Sequence, residues 1–289
     1  MSYQNNIKNF IKLARLKHSV KNLLIFLPIV YSGNFFSLDK LIDTVVAFVA
    51  FTLAASAVYA VNDIRDKNLD RKHPRKKFRP VAAGTISVTN AIIFAVLLFV
   101  TSVVILTASS IPLSSLFVLV GYVVVNLLYS VWFKNVPIVD VGIIALGFIL
   151  RVFYGGEVIG VEISQWLAMV ILAFSMYLGL GKRQGEIKSG SSHTRKVNQY
   201  YTKEFLDKNM FVFLALTIVF YALWTVEASR EFEYLFWTLP LVIVIMMLYT
   251  FDVEKPGVEA DPSSILFSDK ILMSMVIFYI FSIIGIIYL

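Results

Sequence analysis

The chain reads as a succession of long apolar runs separated by short polar stretches. A run from Leu41 to Val61 covers 21 residues, about 31 Å of helix at the standard rise, which is enough to cross a bilayer. Comparable runs follow at 88–108, 112–132, 138–156, 165–181, 210–228, 233–250 and 270–289. Before them stands Leu23–Phe36, apolar but short, with Pro28 inside it and a basic, weakly amphipathic lead-in over residues 1–21. A basic region ahead of a short apolar one also fits a cleaved signal peptide. The lead-in extends the span, however, and the pattern predicts nine transmembrane helices. The expected fold class is therefore all-α: a polytopic membrane protein in one domain, 1–289, with no linker, low-complexity tract or soluble module.

Composition agrees with this pattern. Hydrophobic residues make up 58% and charged residues only 16%, a balance a soluble domain of 289 residues does not carry. With no cysteine, disulfides, thiolate catalysis and Cys-ligated metals are excluded. The net charge of +7 would suggest nucleic acid in a soluble protein, but its distribution argues for topology and against that partner. With the N-terminus cytoplasmic and nine spans, 23 of the 26 Lys and Arg fall on the cytoplasmic side. Lys40 and Arg230 lie opposite, and Arg151 lies within a span. Dropping one span would put a large basic loop on the wrong side.

The candidate chemistry collects on the cytoplasmic side, where the second span ends in Asn62-Asp63-Ile64-Arg65-Asp66-Lys67-Asn68-Leu69-Asp70. Asp63, Asp66 and Asp70 are spaced i, i+3, i+7, so on a continuing helix they share a face. Three acids on one face repel one another unless a cation sits among them, and a hard divalent ion such as Mg²⁺ is the usual solution. The bland alternative is a solvated helix end. The basic run 71–80 follows, and such a cluster is also a topology signal or a headgroup binder. Beside three acids it suggests another division of labour: acids hold Mg²⁺, Mg²⁺ bridges phosphate oxygens, and Arg and Lys neutralise the remaining charge.

The second large cytoplasmic loop begins with Lys182-Arg183-Gln184-Gly185-Glu186. Lys182 and Arg183 can each reach phosphate, or snorkel at a helix end. The preceding Gly179-Leu180-Gly181 lacks the spacing of a phosphate-binding loop. Lys134, in the short connection 129–135, has the same two readings. Arg151 stands about 20 Å into the membrane at helical rise. It needs a partner: an acid on another span or an anionic substrate, since Asp140 is too distant along its own helix. His18, His73 and His193 show no metal-site spacing, and no nucleophile–base arrangement is visible.

Taken together, these residues resemble a family. N-D-x-x-D-x-x-x-D closing the second span, F-R-P-V-A-A-G at 78–84, Y-S-x-W-x-K at 129–134 and the nine-span layout look like the UbiA-type intramembrane prenyltransferase superfamily. That resemblance implies that Asn62, Asp63, Asp66 and Asp70 hold Mg²⁺ and a diphosphate. Typical prenyl-diphosphate users carry a second acidic motif after the sixth span, where this chain has Lys182-Arg183-x-x-Glu186. Together with Lys21-Asn22, K-N-V-P-I-V-D (134–140), G-F-I-L-R (147–151) and the H-P pair at 73–74, this looks like the decaprenyl-phosphate phosphoribosyltransferase branch. The branch implies phosphoribosyl diphosphate as donor, a polyprenyl phosphate as acceptor held in the lipid bilayer, and polyprenylphosphoryl-5-phosphoribose with diphosphate as products for cell-envelope glycan synthesis. Catalysis would rest on Asp63, Asp66 and Asp70. Lys21, Asn62, Arg79, Lys134, Arg151, Lys182, Arg183 and Glu186 would bind substrate at the cytoplasmic face of the cell membrane. The alternatives are a UbiA-type enzyme joining a prenyl diphosphate to an aromatic or other small acceptor, and a transporter, although no internal repeat is evident. Nothing in the sequence specifies isoprenoid length or oligomeric state.

Overall fold

The computed structural model describes residues 3–73, 76–188, 196–255 and 262–289. Pro74, Arg75 and His193, all named above, lie outside them. The described residues are helical and contain no strand. The chain divides into two compact units, Met1–Phe133 with Leu150–Glu162, and Lys134–Ile149 with Ile163–Leu289.

In the first unit, α1 (Tyr3–Ala14) leads into a 3-10 segment, Leu16–Phe26, and the short α2 (Leu27–Tyr31). The first expected span is therefore an apolar stretch shorter than the rest, His18–Tyr31, broken near Pro28. Pro28 sits in the first turn of α2, where a missing N–H is tolerated. Next come α3 (Leu38–Arg65), α4 (Lys67–Lys72), α5 (Val88–Ala108) and α6 (Ser114–Val131). Ser87 caps α5 by accepting from the Asn90 N–H at 3.1 Å. The helix α7 (Val139–Ile159) gives its last turns to this unit.

Small residues on α3 let its neighbours approach closely, as membrane helices require where no water drives association. Ala47, Ala50 and Ala54 are fully buried. The Ser102 hydroxyl on α5 donates to the Ala50 carbonyl at 2.7 Å, and Tyr154 on α7 donates to that of Ala47 at 3.2 Å. Phe51 fills the middle, its ring 4.4 Å from Tyr122 and 5.1 Å from Tyr154 between centroids. Gly155 is needed for contact with the 3-10 segment, since a Cβ there would meet the Ile25 carbonyl oxygen at 2.2 Å.

The second unit holds the start of α7 with α8 (Gln165–Lys188), α9 (Lys203–Ala228), α10 (Leu239–Glu254), α11 (Pro262–Ser268) and α12 (Lys270–Tyr288). Thr202 caps α9, and the Asp269 carboxylate caps α12 by accepting from the N–H groups of Ile271 and Leu272. Tyr177, Leu180, Leu206, Met210, Met246 and Val253 form its core.

Among the described residues, eight helical stretches, beginning with α3, are long and apolar enough to cross a membrane. They carry broad exposed apolar faces, such as Ile92, Val96 and Val100 on α5 and Phe278 and Phe281 on α12. Faces like these suit acyl chains and not water. The protein is a multi-pass, all-helical membrane protein.

Candidate active site

The acidic stretch forms where α3 runs out of apolar sequence. Asp66 closes α3 with φ −87° and ψ 2°, and α4 resumes one residue later. The backbone ladder continues across this bend: the Asp66 N–H donates to the Asn62 carbonyl at 2.9 Å, and that of Asp70 to the Asp66 carbonyl at 2.8 Å. The helix is thus bent rather than straight, yet Asp63 and Asp70 still converge. Both are buried, at 1% and 4% exposure.

What lies between them is arginine. Arg79 Nη1 donates to Asp70 Oδ2 at 2.6 Å and lies 3.3 Å from Asp63 Oδ1, while Arg15 Nη2 donates to the same Asp63 oxygen. Arg15 follows α1 in the left-handed region, φ 53°, with its guanidinium 5.4 Å from the Tyr59 ring centre. Burial holds the Arg15 pKa below its ordinary value, against the opposing pull of Asp63.

The F-R-P-V-A-A-G segment explains how Arg79 reaches this place. Val81 is buried against Leu13, Ala57 and Ala60, and Ala82 beside it is buried as well. Gly84 turns the chain at φ +76°, a conformation open to glycine. The Ile86 N–H then returns to the Pro80 carbonyl at 3.2 Å. Two further ties hold the segment, Lys12 Nζ to the Phe78 carbonyl at 2.9 Å and Arg71 Nε to that of Ala82 at 3.0 Å.

Asp63 and Asp70 hold guanidinium groups, and the described residues contain no cluster of three His, Cys, Asp or Glu arranged around a metal. The donor chemistry nonetheless suits Mg²⁺. Asn62, Asp63, Asp66 and Asp70 offer only oxygens, the ligands a hard cation selects. Asn62 Oδ1 is buried with no hydrogen-bond partner among the described residues, an acceptor in want of a cation or donor.

Deeper in the first unit lies Arg151, 5% exposed. Its Nε donates to Asn22 Oδ1 at 2.9 Å and its Nη2 to the Tyr122 hydroxyl at 2.9 Å. The guanidinium also lies 4.8 Å and 5.3 Å from the ring centres of Tyr122 and Phe51. These partners are neutral. Asn22 in turn donates to Thr52 Oγ1 at 3.0 Å, which holds the 3-10 segment carrying half-buried Lys21 against α3.

The second unit carries a separate charged set. Arg183 is 1% exposed, with Nε donating to Asp140 Oδ2 at 2.8 Å and Nη1 to Glu186 Oε2 at 2.7 Å. Asn198 Nδ2 adds a bond to the same Glu186 oxygen at 3.0 Å. On the far side of Asp140, the Tyr201 hydroxyl donates to Oδ1 at 2.5 Å and accepts from the Ile138 N–H at 2.7 Å. Burial first, and then the bond to Asp140, push the Tyr201 pKa up. Ile138 takes φ +69°, a conformation that costs a β-branched residue roughly 1–3 kcal/mol and persists only where its surroundings impose it. Lys134 and Lys182 are half-buried in this unit.

The structure therefore brings Asp63, Asp70 and Arg79 together, with Asn62 beside Asp63 along the helix, and, in the other unit, Arg183 and Glu186. Arg15, Asp140 and Tyr201 were not anticipated as site residues. Asp140 left a signal, since an acid at the start of an apolar span is costly without a partner. Arg15 and Tyr201 left none, being 48 and 61 residues from the groups they bond.

Comparison with known proteins places these features in a family. The UbiA prenyltransferase family matches residues 25–251. The chain is similar to a decaprenyl-phosphate phosphoribosyltransferase from Corynebacterium glutamicum, 31% identical over 99% of this chain and 89% of the relative. A protein of the same name from Mycolicibacterium smegmatis is 32% identical, over 96% of this chain and 92% of the relative. Among solved structures, a UbiA homolog from Archaeoglobus fulgidus bound to GPP and Mg²⁺ has the same fold, with a TM-score of 0.71 at 22% identity, covering 96% of this chain and 99% of that one. The bent acid-bearing helix, the arginine-lined carboxylates and the apolar helical frame thus belong to a transferase enzyme, and the chain is a member of the UbiA prenyltransferase family.

Proposed function

We propose that this enzyme transfers 5-phosphoribose from phosphoribosyl diphosphate to a polyprenyl phosphate, releasing diphosphate. The strongest support is the likeness, over almost the whole chain, to relatives named decaprenyl-phosphate phosphoribosyltransferase. The charged sets add a physical reason. Arg15 and Arg79 surround the acids, and Lys182 and Arg183 stand where a metal-binding pair of acids would serve a prenyl diphosphate donor.

In this reading Asn62, Asp63, Asp66 and Asp70 hold Mg²⁺, which supplies charge neutralisation to the leaving diphosphate. Arg15 and Arg79 then exchange their carboxylates for phosphate oxygens, a trade between two anionic partners. The acceptor phosphate oxygen forms a bond to the anomeric carbon as the bond to diphosphate breaks. An ionised phosphate needs no strong general base, so positioning and charge stabilisation carry the rate. Lys21, Lys134 and Lys182 share the remaining phosphate charge, with Arg151 braced beside Asn22. Arg183 and Glu186 act through their ion triad with Asp140, which holds the end of α8 that carries Lys182. Residues 1–289 work as one membrane-embedded transferase domain of nine spans, the N-terminus and active site cytoplasmic and the isoprenoid chain remaining in lipid.

The test is transfer of labelled phosphoribose to polyprenyl phosphate by purified protein in detergent, with and without Mg²⁺. Product formation abolished by chelation and reduced at least 100-fold by Asp66→Ala is the expected result. Full activity of Asp66→Ala would overturn the metal assignment. Turnover of a prenyl diphosphate with an aromatic acceptor, and none of phosphoribosyl diphosphate, would overturn the substrate assignment.

A further inference from the structure

A cleft in the second unit, at the charged ends of α8, α9 and α10, has no part in the transfer described above. It is narrow and partly open to solvent, and its inner part has room for about one water-sized group. Its polar wall is Gln184, Asp207, Glu254, Tyr177 and Thr250, and Phe211 and Leu214 line the apolar side. We propose that this cleft binds a primary ammonium group, such as the headgroup of an aminophospholipid.

Gln184 is 3% exposed. Its Nε2 donates to Asp207 Oδ1, which orients the amide, and its Oε1 is left with no hydrogen-bond partner among the described residues. A buried amide oxygen in that state calls for a donor. The Tyr177 and Thr250 hydroxyls lie 2.5 Å apart and bond each other, so they offer acceptor lone pairs rather than a spare proton to Gln184. Water would satisfy the amide oxygen, but only a cation would do so and also pair with the Asp207 and Glu254 carboxylates that share the wall. A primary ammonium carries three N–H donors and a positive charge in one small group. The cleft meets the needs of a multidentate metal ion less well, since the described residues nowhere gather three metal-ligating side chains.

The apolar side points to what carries the amine. Phe211 is 61% exposed, so its ring face is open to a cation or to an alkyl chain. It sits two turns inside the start of α9, close to the level where headgroups meet acyl chains. The lipid and a free amine share the recognising chemistry, and measurement separates them.

The experiment is thermal unfolding of the detergent-purified, full-length protein with dioleoylphosphatidylethanolamine, dioleoylphosphatidylcholine, ethanolamine or spermidine added. The ethanolamine lipid should raise Tm by about 2–4 °C, the shift that about 1 kcal/mol produces in a chain of this order. The choline lipid, whose quaternary nitrogen has no N–H, should not. Glu254→Gln, an exposed substitution that leaves the fold intact, should at least halve the rise, and Gln184→Leu should remove it. A rise with ethanolamine or spermidine equal to that with the lipid would assign a soluble amine, and a rise with the lipid alone the headgroup. Equal responses to both lipids with none to the free amines, or a wild-type response in both variants, would overturn the proposal.

Discussion

Replacing Arg183 with Met removes the central cation of the Asp140–Arg183–Glu186 set while keeping most of the side-chain volume. Two charge-assisted hydrogen bonds disappear, at 2.8 and 2.7 Å, each contributing about 1.5–3 kcal/mol. Asp140, fully buried, keeps the bond from the Tyr201 hydroxyl, and Glu186, partly open, keeps that from Asn198. Breaking a buried pair from one side costs about 3–5 kcal/mol, mostly through the stranded charge. The Tyr201 bond favours the lower end, about 3 kcal/mol, or roughly 6–12 °C in Tm. The double substitution Arg183→Met with Asp140→Asn should recover much of that loss, because no buried charge is then uncompensated. Thermal unfolding in detergent, read beside phosphoribosyl transfer, checks both. A single variant with unchanged Tm and transfer reduced more than 100-fold would refute the reasoning and make Arg183 a direct phosphate ligand instead.

Two further substitutions probe the frame. Gly155→Ala places a methyl 2.2 Å from the Ile25 carbonyl oxygen, so the 3-10 segment must shift, and a cost of about 1–3 kcal/mol should lower Tm; an unchanged Tm would show that the segment yields freely. The N–H groups of Leu272 and Ile271, with nearby Lys255, hold the Asp269 carboxyl below its ordinary pKa. Its cap on α12 is therefore fully present above the usual carboxylate value near about 4 and lost as pH falls through the depressed folded value. The Tm difference between wild type and Asp269→Asn should hold from pH 7 to 5 and shrink below about pH 4; a difference constant down to pH 3 would exclude the cap as its source.

Much of this protein is legible along the chain because the bilayer imposes one rule, that a spanning segment must satisfy its own backbone and present apolar side chains. The runs from Leu41 onward therefore became the eight long helices, their ends marked by Ser87, Thr202 and Asp269. Only Leu23–Phe36 departed: the packed segment runs as a 3-10 helix to Phe26, and the α-helix that follows, with Pro28 in its first turn, ends at Tyr31. The acidic stretch was equally visible, and Asp63 and Asp70 still meet at Arg79 across the bend at Asp66.

Charge pairing is where tertiary structure decided. From sequence, Asp63 and Asp70 ask for a cation and a metal is the natural answer; folding supplies Arg15 and Arg79 from segments 48 and 9 residues away. Arg183 reads locally as a basic helix end facing phosphate, yet Asp140, 43 residues earlier, draws it inside. Local sequence determines which residues are helical and which sides are apolar, because those preferences act within a few turns. The partner of a buried charge is chosen by proximity in space, under the heavy penalty for leaving it alone in a low-dielectric interior, and no spacing along the chain records that choice.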